Sequence, residues 1–314
     1  MKHFFSLILL SFIVSLATIS VAYSQILPER ERATLRDEIL KDRFDNLLPQ
    51  LMDDTGIDMW LVVAREYNED PVMRTMLPAT WLNARRRTIL VFYRNKEQNT
   101  LERLAVARYD VGANITSSWD KEKQPNQWKR LVEIIKERPV KKIGINISKH
   151  FGIADGLVKT DYQELMEALP SDLEEKIVSA EKLAIAWIET RTEKEMLLYN
   201  QLVDITSAII DQAFSAAVIT PGKTTTDDIV WWMRQKVTSL GLETWFHPTI
   251  DVQRNNEALQ SHIYSFSKGE KQKTVLPGDL LHCDFGITYI SLNTDCQRHA
   301  YVLRKGETQV PEFL

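Results

Sequence analysis

HCDFGITYISLNTDCQRHAYV, residues 282–302, reads as a β-hairpin whose two strands each carry an acid, Asp284 and Asp295. The acids are eleven residues apart, and a hairpin centred between Tyr289 and Ile290 would set them opposite one another. Cross-strand partners share a face, with Cβ atoms about 5 Å apart. Two carboxylates at that distance repel unless one is protonated or a cation lies between them. Hard oxygen donors of this kind suit Mn, Co or Zn in a hydrolytic site, where two metals can share a nucleophilic water. A register that lets both side chains reach water is the alternative. In the same register Cys283 and Cys296 face one another on the reverse side of the hairpin. Facing strand residues lie within the Cα range of a disulfide, so a cross-strand bond is one reading and two buried thiols packing as small apolar groups are the other.

Working outward, residues 192–195 (T-E-K-E) form a capping-box pattern ahead of a helix that runs through Met196, Leu197, Leu202, Ile205, Ile209, Ile210 and Phe214 and stops before Pro221-Gly222. A second helix starts near Thr226 and terminates at Gly241. Upstream, apolar residues from Leu35 to Leu51 recur at helical spacing. Short β-rich runs at 59–64, 87–94, 103–110, 141–148 and 176–181 then alternate with helical patterns near 128–136 and 162–168, which predicts an α/β domain with a mixed sheet. The segment REYNEDPVMRTMLPATWLNARRR, from Arg65 to Arg87, reads as a charged, solvated loop, with a contribution to the surface near a binding cleft as the other reading.

The first residues have a basic start, an apolar run from Phe4 to Ala22 and a small-residue Ala22-Tyr23-Ser24 ending. This predicts a signal peptide over 1–24 and an exported, periplasmic or secreted protein, not attached to membrane after cleavage; a single membrane anchor is the competing reading. The 314 residues with a formal charge of −4 carry no basic stripe of the kind nucleic acid requires, so nucleic acid is not an expected partner. Two cysteines are too few for a disulfide scaffold.

Several motifs coincide: Pro221-Gly222-Lys223, His262 in SHIYSF, VLPGDLLHCDFG from Val275, and Asn293-Thr294-Asp295. Together they resemble the pita-bread metallopeptidases, the family of Xaa-Pro aminopeptidases, methionine aminopeptidases and creatinase. The resemblance covers 190–314 by motif, and the preceding α/β part is similar to the creatinase-type N-terminal domain by its element order and REYNEDP segment. After the signal peptide over 1–24, it implies a creatinase-type α/β domain over 25–188 and the first half of an α+β catalytic domain over 189–314. It also implies a divalent metal pair, with Asp284 a terminal ligand, Asp295 a bridging one and His262 a catalytic group. His247 would lie on a segment bordering the substrate cleft, either touching substrate or serving as scaffold. His282 and His299 share a face with Asp284 and Asp295, and ordinary strand packing explains both. The expected substrate is a peptide with proline at its second position; creatinase-like or lyase chemistry and a non-catalytic binding module are the alternatives, and a homodimer is a further expectation. The family's site takes a histidine and two glutamates from a later half of the fold. The chain is therefore expected to be a fragment with two of five ligands, binding no metal tightly alone; a short product of a degraded gene, or a chain completed by association, are the other readings.

Overall fold

The structure is a computed structural model that describes residues 26–254 and 273–312. It divides into two compact units, one of residues 29–194 and one of 26–28 with 195–312. The boundary expected at 188/189 falls at the end of a helix, Glu181–Glu189.

In the first unit the opening helical pattern forms α1 (Glu29–Asp42) and α2 (Leu48–Thr55), joined without a break by a π-helical turn, Arg43–Leu47. Pro49, in the first turn of α2, has no N–H to offer the preceding turn, a local cause for the wider spacing. Gly56 ends α2 in the left-handed conformation at φ 68°. The strands β1 (Met59–Arg65), β2 (Arg87–Asn95), β3 (Thr100–Val106), β4 (Thr116–Ser117), β5 (Ile143–Ile145) and β6 (Ile177–Ser179) make one mixed sheet in the order β4-β3-β2-β1-β5-β6. β1 pairs antiparallel with β2 and parallel with β5.

Strand periodicity sorts β1 onto two cores. Trp60, Val62 and Ala64 pack with Phe44, Met52 and Trp187 on one face; Met59, Leu61 and Val63 pack with Leu131, Ile135 and Leu165 on the other. A sheet buried on both faces accounts for the unbroken apolar run of MWLVVA.

The segment 65–87 is not the solvated loop expected of it. It contains a short helix, α3 (Pro71–Met76), and buries Val72, Met73, Met76, Trp81 and Ala84. The cause is Asp70: its Oδ1 accepts from the Val72 and Met73 amides at 2.7 and 3.2 Å, capping α3, while its Oδ2 accepts from Asn146 Nδ2 at 2.9 Å. Asn146 Oδ1 in turn accepts from Trp60 Nε1 at 2.8 Å. Burial pushes the Asp70 carboxyl above its ordinary 3.8, against the hydrogen bonds that favour its charge. A raised folded-state value means that Asp70 favours folding most below its unfolded pKa and loses that contribution as pH rises through the folded one. Urea unfolding of the wild type should therefore weaken across that interval relative to Asp70→Asn, whose slope at this site is removed; parallel pH profiles would contradict the assignment.

The first unit also holds α4 (Gln127–Lys136), α5 (Lys159–Ala168), α6 (Ser171–Glu174) and α7 (Glu181–Glu189), and nearly all of α8 (Glu193–Ala213) belongs to the second. Leu202, Ile205, Ile209 and Ile210 are buried along it, whereas Met196 and Leu197 lie on its outer face, 54% and 78% exposed. In α9 (Thr226–Ser239), Thr225 and Asp228 form a reciprocal capping box, and Gly241 follows in the left-handed region at φ 65°. The strands β7 (Thr249–Gln253), β8 (Leu280–Phe285) and β11 (Cys296–Tyr301) form an antiparallel sheet in the order β11-β8-β7, and β9 (Thr288–Tyr289) with β10 (Leu292–Asn293) makes a two-stranded ribbon at the hairpin tip. No helix of the described residues is long and apolar enough to cross a membrane.

Candidate metal centre

The hairpin forms, with its centre one residue later than expected. Tyr289 pairs with Leu292, so the turn residues are Ile290 and Ser291, at φ 52° and 63°. The register then sets Asp284 opposite Gln297, Cys283 opposite Arg298 and Cys296 opposite Phe285. Direct opposition of the acids is thus corrected to a diagonal: Asp295 precedes Gln297 by two residues and shares its side of the sheet.

The two carboxylates meet nonetheless. Burial first, and then the neighbouring Asp295 charge, push the Asp284 carboxyl above its ordinary 3.8. Asp284 Oδ1 is enclosed and accepts no hydrogen bond among the described residues. The opposite face of this sheet is apolar, with Ile250, Val252, Leu281, Cys283 and Phe285 all buried. The acids' own face is polar and open. Asp251 pairs with His282, His282 with His299, and Thr249 with Asp284. The two imidazoles lie 4.9 Å apart, with His282 Nε2 3.2 Å from Gln297 Oε1 and Nδ1 3.9 Å from Asp251 Oδ2. Strand pairing therefore accounts for both histidines.

Below the acids the hairpin is held by Thr294. Its amide donates to Ile287 O at 3.0 Å, its Oγ1 accepts from the Ile287 amide at 3.1 Å, and its carbonyl accepts from Trp245 Nε1 at 2.7 Å. Its hydroxyl also lies 2.8 Å from that of Thr206 on α8. This support was not read from the sequence, although Thr294 sits inside the motif that was. Asp279 has a similar part at the entry to β8: buried at 2% exposure, it receives both Arg254 Nε at 2.6 Å and Nη2 at 2.9 Å and accepts the Leu276 amide at 2.7 Å.

His247 is exposed and packs edge-on against Trp231 at 5.6 Å, two residues before the strand position that faces Asp284. His262 and the signal-peptide stretch lie outside the described residues. The two cysteines are free thiols in the structure, and the shifted register makes them diagonal neighbours, not facing partners. Burial, and then Asp284, push the Cys283 thiol up to about 12; burial also raises Cys296. Cys283 should therefore stay unreactive to a thiol reagent at pH 8 in the folded protein, and denaturation without reductant should release two reactive thiols. Zero thiols after denaturation would restore the disulfide.

Two neighbouring carboxylates, one with an enclosed oxygen lacking a donor, have the donor chemistry of a hard divalent cation. They fit the carboxylate part of such a centre and do not complete it, since no group of three or more His, Cys, Asp or Glu is placed to hold an ion among the described residues.

No family model and no curated protein sequence matches the chain. Its structure is similar to X-Pro aminopeptidase from Thermotoga maritima (TM-score 0.55, 16% identity, 80% of this chain and 64% of that one). It is also similar to aminopeptidase P from E. coli (0.57, 11%, 84% and 62%) and to Xaa-Pro dipeptidase from Bacillus anthracis (0.50, 17%, 88% and 66%). The fold is that of the pita-bread peptidases, and the chain spans 62–66% of the length of these three solved chains.

Proposed function

We propose that this chain carries the first two carboxylate ligands of an exported, metal-dependent hydrolase acting on peptides with proline at the second position. The observation that supports it most is the Asp284–Asp295 pair, brought together on the open face of a sheet with an enclosed, unpartnered oxygen. The fold of solved chains named for X-Pro aminopeptidase and Xaa-Pro dipeptidase activity points to the same substrate class.

In this reading Asp284 and Asp295 would be the carboxylates that hold the divalent metal. A bound divalent ion supplies Lewis-acid polarisation of a carbonyl and a water of lowered pKa. His262 would carry the proton, a role taken from the family resemblance alone, and His247, exposed beside Trp231, would be the residue open to substrate. The apolar reverse face and the Thr294 hydrogen bonds keep both acids in place.

The test is hydrolysis of an Xaa-Pro tripeptide by the protein expressed from its complete reading frame, with Mn2+ and with a chelator. Activity should need the metal. It should fall in Asp295→Asn by more than about 100-fold, beyond the usual cost of altering a ligand's supporting partner. Chelator-resistant activity, or an Asp295→Asn variant as fast as the wild type, would reject the proposal.

A further inference from the structure

The unit of residues 29–194 contains a cavity of about 810 Å3 with five arginines in its lining: Arg65, Arg85, Arg86, Arg87 and Arg108. That volume lies within the roughly 300–1,000 Å3 typical of small-molecule sites. Glu66 is the one carboxylate in the lining among the described residues.

Two of the five arginines are already neutralised. Arg65 donates to Asp161 through Nε at 3.0 Å and Nη2 at 2.8 Å, and Arg87 Nη2 reaches Glu164 at 2.6 Å. The other three, Arg85, Arg86 and Arg108, have no ion pair among the described residues. Arg85 is nonetheless positioned: its guanidinium lies 4.5 Å from the Trp81 ring centroid and 5.9 Å from that of Tyr109. Rings on a guanidinium's face orient its donor fork without satisfying it. Arg86 sits in the left-handed region at φ 55°, pinned by the Glu66 amide donating to its carbonyl at 2.6 Å and its own amide donating to Glu66 Oε2 at 3.1 Å. A non-glycine residue held there by two reciprocal hydrogen bonds fixes the course of the arginine run.

Three arginines without an ion pair, set against the single Glu66 carboxylate, leave an excess of positive charge around one concavity, where an anion can enter. Guanidinium forks match planar or tetrahedral oxyanions in bidentate fashion. We propose that this cavity binds a small polyanion bearing two or more clustered oxyanion groups, with Arg85, Arg86 and Arg108 as its charged contacts and Tyr109 and Trp119 as its apolar wall. Phosphoryl and carboxylate ligands share this chemistry, and the choice between them belongs to the experiment.

Calorimetric titration of the purified chain with inorganic pyrophosphate and, separately, with citrate at fixed ionic strength tests the site. Both titrations are run without divalent metal, so that the Asp284–Asp295 pair cannot contribute. At least one probe should bind saturably at one site, more than tenfold weaker in Arg85→Gln and in Arg108→Gln, with Arg108→Lys intermediate because it keeps charge and loses the fork. Pyrophosphate alone binding assigns a phosphoryl ligand, and citrate alone a polycarboxylate. Both arginines are exposed, so each variant should keep the wild-type Tm; if one fails to fold, the other decides. No binding of either probe, or equal binding by wild type and folded variant, overturns the proposal.

Discussion

Replacing Gly286 by alanine should cost about 3 kcal/mol or more of the stability of the second unit. A Cβ built at Gly286 would lie 2.0 Å from the Thr294 carbonyl oxygen, 2.5 Å from Trp245 Nε1 and 2.8 Å from Phe246 Cε1. The first of these is backbone, and the first two are the partners of one hydrogen bond, so no side-chain rotation relieves the crowding. The turn would have to open, and with it would go the Thr294 amide bond to Ile287 O and the bond from the Ile287 amide to Thr294 Oγ1. Buried groups left without partners add to the steric cost. Gly286 lies two residues after Asp284 and Thr294 one before Asp295, so the same opening would separate the acids. Urea unfolding followed by Trp fluorescence measures the effect, and an alanine variant within about 0.5 kcal/mol of wild type would show that the close approach is not real.

The second large effect is expected at Asp279. Asp279→Ala should destabilise the same unit by about 3–5 kcal/mol, the usual cost of removing one partner of a buried ion pair. Arg254 would lose both Asp279 oxygens while keeping its bond to the Thr274 carbonyl, and the Leu276 amide would lose its acceptor. Because Asp279 lies immediately before β8, the loss should appear in unfolding and not as a selective change at the acids. Asp279→Asn keeps one acceptor and should recover part of it. Equal stability of all three proteins would mean that the pair contributes nothing.

These two positions also show which features were legible. Pro277-Gly278-Asp279 and Asp284-Phe285-Gly286 are turn and strand signals in the sequence, and the strands they flank form where expected. The mixed sheet was legible as well, because β1 and β2 are continuous apolar runs with one plausible fate, burial on both faces. The hairpin register was not, since the turn puts Ile290 at φ 52°. A β-branched residue there runs against every turn preference, and no sequence rule places it. One residue of error converts facing acids into diagonal ones and facing cysteines into separate thiols. The segment 65–87 misled for another reason: its charges are many, but Asp70 caps a helix and accepts from Asn146, 76 residues away, and the contact that buries the segment is invisible locally.

Mn2+ titration of the metal-free chain, followed by electron paramagnetic resonance, tests the metal assignment most directly. The account predicts weak, saturable uptake at one site in the wild type, lost in both Asp284→Asn and Asp295→Asn while Tm and circular dichroism stay unchanged. Uptake of the same strength in both folded variants, or none in the wild type, would contradict it.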